Sequence, residues 1–147
     1  DVLSGSDAEA LARTREQLEA IQVVNGTIPV QGPGVVIKIL DPDRQLTYDV
    51  AVSLVQELRD AGAEAIEING IRVNARTFFG NSRVGKLTVN RRTITAPFEI
   101  RAIGSSKTLA VAMQIPGGVA DTVSSLGARF KVSEVSTITI SAIAPVS

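Results

Sequence analysis

Two stretches of this 147-residue chain repeat one order of predicted elements, strand, helix, strand, and that repetition restricts the fold more than any single motif. In the first, Val35 to Leu40 reads as a strand, and Asp41-Pro42-Asp43 as a turn. A helix follows from about Tyr48 to Ala61, with Val52, Val55 and Leu58 on one face, and Gly62 ends it. "AEAIEI" then alternates as a half-buried strand, with Ala65 and Glu67 on one side and Glu64, Ile66 and Ile68 on the other, before the turn signal Asn69-Gly70. The second unit begins near Pro97. "FEIRAI" alternates Phe98, Ile100 and Ala102 against Glu99, Arg101 and Ile103, and Gly104-Ser105-Ser106 opens a helix with serine at its N-cap. Pro116-Gly117-Gly118 interrupts that helix, Gly127 closes it, and the β-branched "RFKVSEVSTITISAI" is a last strand or strand pair. The pattern is that of an α+β chain of ferredoxin-like type, the split βαβ or α/β plait, a two-layer sandwich with two helices over a four-stranded antiparallel sheet. Between the units, "KLTVN" and "RTIT" form an inserted hairpin turning at Asn90-Arg91, within an insertion of about residues 72–96.

Ahead of these units, Ser6 to about Val24 is a proline-free run of helix formers. Leu11, Thr14, Leu18 and Ile21 recur at alternating three and four spacing, a narrow apolar seam. Residues 1–26 thus form an N-terminal helix, either the end of a stalk or coiled coil capable of pairing two copies, or a helix resting on a domain of residues 27–147. Asn25-Gly26 supplies its stop.

Composition removes several chemistries. The chain has no cysteine and no histidine, so thiolate catalysis, disulfides and imidazole metal ligands are excluded. No stretch approaches the roughly 20 apolar residues that cross a bilayer, and no signal peptide is seen. The chain begins at Asp1 without methionine, which leads us to expect that an N-terminal segment with a membrane anchor precedes it. The zero net charge conceals a segregation. Residues 72–107 hold Arg72, Arg76, Arg83, Lys86, Arg91, Arg92, Arg101 and Lys107 against Glu99 alone, eight positive and one negative, a net +7. Residues 28–71 carry three positive and seven negative side chains, a net −4.

The glycine-rich "VQGPGVVIKIL" raises a phosphate cradle and rejects it. Such cradles place their glycines after a strand and before a helix, whereas Gly32, Pro33 and Gly34 precede the strand and read as the turn that launches it. Gly104-Ser105-Ser106-Lys107-Thr108 lacks the glycines of a P-loop and follows Glu99. Asp41 and Asp43 flank a proline without the further oxygens that a calcium site requires, so we expect a turn and no metal. Glu64 and Glu67 lie on opposite faces of one strand and make a poor acid and base pair. Ser82 with Lys86, or Ser106 with Lys107, has no nucleophile elbow around it. We expect no catalytic residue and no cofactor.

The blocks "VQGPGVVIKILDP", "LVQELRDAGAEAIEINGIRV", "LTVN", "APFEIRAIG" and "GGVADTVSSLG", in that order over about residues 22–142, resemble domain-of-unknown-function family 881, the YlxW/YlxX-like proteins of Gram-positive bacteria. The chain departs from the usual family pattern at "TFFGNSRVGK" and "VNRRTITAPF". The resemblance implies a single membrane-spanning helix, then a stalk, then a ferredoxin-like domain outside the cytoplasm, encoded near division and cell-wall genes. It carries over no catalytic residue.

These readings converge on a non-enzymatic, extracytoplasmic interaction module of a membrane-anchored protein in cell division or envelope assembly. Its partner surface is expected at Arg76, Arg83, Lys86, Arg91 and Arg92, meeting an envelope or division protein, anionic lipid or a wall polymer. Nucleic acid fits less well, because the chain is neutral overall and has four Phe and one Tyr for stacking. The alternative, from a different class, is a small-molecule or regulatory ligand-binding domain, a use that ferredoxin-like sheets also serve.

Overall fold

The computed structural model describes residues 5–41 and 45–142. Twelve elements follow in chain order: α1 (Gly5–Asn25), β1 (Val30–Leu40), α2 (Tyr48–Asp60), β2 (Ala65–Ile68), β3 (Ile71–Val73), β4 (Phe79–Asn81), β5 (Leu87–Val89), β6 (Arg92–Thr93), β7 (Phe98–Ile103), α3 (Ser106–Met113), α4 (Val119–Ser125) and β8 (Arg129–Ile140). Five strands make an antiparallel sheet in the order β3-β2-β7-β1-β8, and β4-β5-β6 make a small second sheet. The chain is therefore an α+β fold, with four helices among the described residues, one of them N-terminal.

One face of the large sheet carries the core. Val35, Ile37 and Ile39 of β1, Ile66 and Ile68 of β2, and Phe98, Ile100 and Ala102 of β7 meet Leu54 and Leu58 of α2, Leu109 and Met113 of α3, and Val119 and Val123 of α4. The strand alternation and the helix spacing put these residues on one interface, while Ala65, Ile103, Ile138 and Ile140 form a smaller buried cluster apart from it. In α2 the buried set is Val50, Ala51, Leu54, Val55 and Leu58, while Val52 is only half-buried. Leu87, Val89 and Ile94 extend the same core under the small sheet.

Several local signals act as the sequence leads one to expect. Asn25 ends α1, and Gly26 takes a left-handed φ of 75°. Ser105 caps α3 through its side chain, which accepts from the Thr108 N–H. Asn90 and Arg91, at φ 51° and 68°, make the tight turn between β5 and β6. The helical region breaks into α3 and α4 around Pro116-Gly117-Gly118, and "RFKVSEVSTITI" is one long strand. Within the "AEAIEI" run, Ala65, Ile66, Glu67 and Ile68 are all buried, so β2 is covered on both faces and not half-buried as its alternation indicates.

The glycine-rich segment is a correction. Gly32-Pro33-Gly34 is not a turn before the strand; it lies inside β1, which starts at Val30. Gly32 pairs with Ile138 and Gly34 with Val135, so β8 carries one extra residue opposite Pro33, a β-bulge. A Cβ built on Gly34 would stand 1.9 Å from the Ala102 carbonyl oxygen, and one on Gly32 would meet Ile103 Cγ2 at 3.2 Å. The glycines let two backbones approach closely, and the Pro33 carbonyl accepts from the Gly104 N–H at 2.8 Å.

Candidate functional site

The cations of residues 72–96 fall into three places. Arg72 lies in β3, an edge strand of the large sheet, and is only 1% exposed. Its Nη1 donates to the carbonyls of Ile28 (2.9 Å) and Ala142 (3.1 Å), and its Nη2 to that of Val23 (3.0 Å). Loss of water around the guanidinium lowers its pKa, while Glu67, its antiparallel partner on β2, acts in the other direction. Glu67 is also paired in register with Arg101 of β7, so one buried carboxylate stands between two arginines across three strands. Arg72 is thus a structural clamp, and charge counting alone had no way to separate it from its surface neighbours.

The five residues expected at the partner surface ride on the excursion after β3, which contains no acidic residue between Asn74 and Pro97. The small sheet divides them. Arg76 precedes β4, and Arg91 and Arg92 follow β5, which is antiparallel to β4 through Phe79↔Val89. The Asn90 N–H donates to the Phe78 carbonyl and Asn90 Oδ1 accepts from the Phe78 N–H, which fixes this end. Arg76, Arg91, Arg92 and Phe78 are exposed there, Phe78 by 51%. At the opposite end, Ser82 to Lys86 form the β4–β5 turn, with Gly85 at φ 82° and exposed Arg83 and Val84. Three residues of strand, about 10 Å, separate the two groups.

Lys86, half-buried, faces a cavity of about 620 Å³ between the small sheet and one end of the large sheet. Leu46, Leu87, Ile94 and Phe98 form its buried wall, Leu40 and Pro97 contribute apolar surface, and Arg129 supplies a second cation. Asp41 also lines it; its Oδ1 accepts from the Gln45 N–H (2.9 Å) and its Oδ2 from the Leu46 N–H (2.8 Å). Asp41 therefore holds the backbone at Gln45 and Leu46, whereas Pro42 and Asp43 of the expected turn lie outside the described residues. Nothing in the sequence pattern marks this cavity, because its walls come from segments up to 89 positions apart, Leu40 to Arg129.

The catalytic alternatives find other roles. Ser82 Oγ accepts from the Lys86 backbone N–H at 3.1 Å, and Lys107 is exposed in the first turn of α3. Glu64 is exposed and Glu67 buried. Among the described residues, no group of three or more histidine, cysteine or acidic side chains is placed to hold a metal, and no helix is long and apolar enough to cross a membrane.

Comparison with known proteins gives kinship. A family model described as a bacterial protein of unknown function (DUF881) matches residues 17–147. The UPF0749 protein Rv1825 of Mycobacterium tuberculosis is 37% identical over 142 residues, covering 94% of this chain and 48% of that protein. The UPF0749 protein Rv1823 of the same organism is 26% identical over 120 residues, 70% of this chain and 38% of its own length. The chain thus spans about half the length, or less, of these curated relatives. A crystal structure of an uncharacterized conserved protein from Mycobacterium tuberculosis superposes with a TM-score of 0.84 at 37% identity, over 89% of this chain and 94% of that one.

Proposed function

We propose, for a chain that belongs to the DUF881 family of bacterial proteins, a non-enzymatic interaction module that docks an acidic protein surface of the envelope or division machinery. We further assign it the ferredoxin-like, split βαβ plait. The support is the order of the four long-range strands, β2-β7-β1-β8, with α2, α3 and α4 packed on one face; β3 extends that sheet at its edge and β4-β5-β6 are the insertion.

The observation that carries the docking reading is the exposed group Arg76, Phe78, Arg91 and Arg92 at one end of the small sheet, in a segment free of acids. Arginine beside an exposed aromatic ring is the composition enriched at protein interfaces, and an acid-free surround steers an anionic partner. Family resemblance supports the rest of the reading: a membrane anchor, the domain outside the cytoplasm, and α1 as a stalk through which two copies associate.

The test is crosslinking in cells of the full-length anchored protein, wild type against Arg91→Glu/Arg92→Glu. Recovery of division or wall-synthesis proteins by the wild type and their loss from the variant, with unchanged melting temperature, supports docking at this end. Equal recovery by both sinks it. Binding of the purified wild type to anionic vesicles or wall polymer, with no protein partner recovered, would replace the acidic protein by those anions.

A further inference from the structure

From the cavity between the two sheets, we propose that the domain binds a small amphipathic anion, an apolar body bearing one carboxylate or phosphate head. The site differs from the docking end in position, lying beyond the β4–β5 turn, and it would stand if the docking reading failed.

Size is the first argument: about 620 Å³ is within the range of small-molecule sites, roughly 300 to 1,000 Å³. The second is the division of its lining by chemistry. Leu46, Leu87, Ile94 and Phe98 are each no more than 7% exposed and present apolar surface to the space, while Leu40, 47% exposed, leaves an aliphatic side chain partly in water at its edge. A ligand tail entering there removes that surface from water.

Charge supplies the third. Lys86 arrives from the β4–β5 turn and Arg129 from the first residue of β8, two cations from unrelated parts of the chain. The one acid among the described lining residues, Asp41, already accepts a backbone hydrogen bond at each oxygen. The described lining residues therefore carry a net positive charge, two cations against one acid, beside an apolar wall. Such a lining selects an acidic head on an apolar body over either half alone.

The experiment titrates the protein with decanoate, decyl phosphate and decanol, each below its micelle concentration, reading backbone amide shifts by NMR. Decanoate or decyl phosphate should shift amides from Lys86 to Val89 and from Ile94 to Phe98, with decanol weaker by about tenfold. Whichever acid binds more tightly identifies the head. Lys86→Gln/Arg129→Gln, at a half-buried and an exposed position, should retain the fold and lose the preference for acid over alcohol, and Lys86→Arg/Arg129→Lys should keep it. Equal binding of decanol and the acids, shifts elsewhere, or no shifts up to the solubility limit would overturn the proposal. Because Arg91 and Arg92 are intact in these variants, a failure here leaves the crosslinking result unaffected.

Discussion

Arg72 Nη2 lies 3.0 Å from the Val23 carbonyl oxygen, joining an edge strand of the large sheet to the last turn of α1. The same guanidinium takes the Ile28 and Ala142 carbonyls, so a single side chain ties the end of the helix to residues just before β1 and just after β8. Asn74 Nδ2 adds a bond to the Asn25 carbonyl at 3.0 Å.

Removing that clamp should be costly. Arg72→Leu leaves three carbonyls without this donor and the buried Glu67 without one of its two neighbouring arginines, and should destabilise the domain by about 3 to 5 kcal/mol. Urea unfolding measures the loss, and hydrogen exchange at residues 22–26 should accelerate with it. A loss under about 1 kcal/mol would mean that water replaces the guanidinium at little cost.

Gly34 is the least replaceable glycine. Gly34→Ala drives a methyl group into the Ala102 carbonyl, a backbone atom that cannot rotate away, and should cost about 3 kcal/mol. Gly85→Ala meets no atom within 4 Å but must hold φ 82°, so it should cost about 1 to 2 kcal/mol. Equal melting temperatures for the two variants would show that the β1–β7 crossing relaxes.

Acid titration reports on the start of α2. The Thr47 hydroxyl donates to Asp49 Oδ1 and holds this carboxyl below its ordinary value against the opposing effect of desolvation, with smaller help from the Asp49 and Val50 N–H groups. A depressed folded pKa means that the contribution to stability is present above the unfolded value and lost as pH falls through the folded one. Thr47→Val should raise the Asp49 pKa toward the ordinary value, followed by carboxyl carbon NMR. An unmoved titration would place the cause in the backbone N–H groups.

Helix α1 is exposed from Ser6 to Ile21, with Leu11, Leu18 and Ile21 of the seam 42%, 54% and 57% exposed. Most helical stability in proteins comes from packing an apolar face, which this exposed seam lacks, so pairing along the seam is the expected state. The wild type should sediment as a dimer and Leu18→Glu/Ile21→Glu as a monomer with reduced helix content by circular dichroism. A wild type that stays monomeric at every concentration would remove the stalk-pairing reading.

The sequence was most legible where a local rule decides the backbone. Asn25-Gly26, Asn90-Arg91 and Ser105 act through φ preference or a single cap, and no distant residue overrides them. Strand β3 escapes the eye because it is three residues with arginine at its centre, and only its pairing with β2 makes it a strand. Gly32-Pro33-Gly34 has the composition of a turn, yet the carbonyl that requires glycine there belongs to Ala102, 68 positions further on. The cations could be counted, but their separation into an exposed end of the small sheet, a cavity edge and a buried clamp depends on strand pairing.

The position of β1 has a mechanical consequence. Force applied through α1 enters the domain by way of Gly26 and runs into β1, which is flanked by β7 and β8 and antiparallel to both. Tension along this strand loads its hydrogen bonds on both sides in shear, so they resist together, where a strand pulled from an edge would unzip one bond at a time. Arg72 gives the same load a second route, into β3 at the far edge of the sheet. A helix attached in this way can be pulled on without peeling open the domain it leads into.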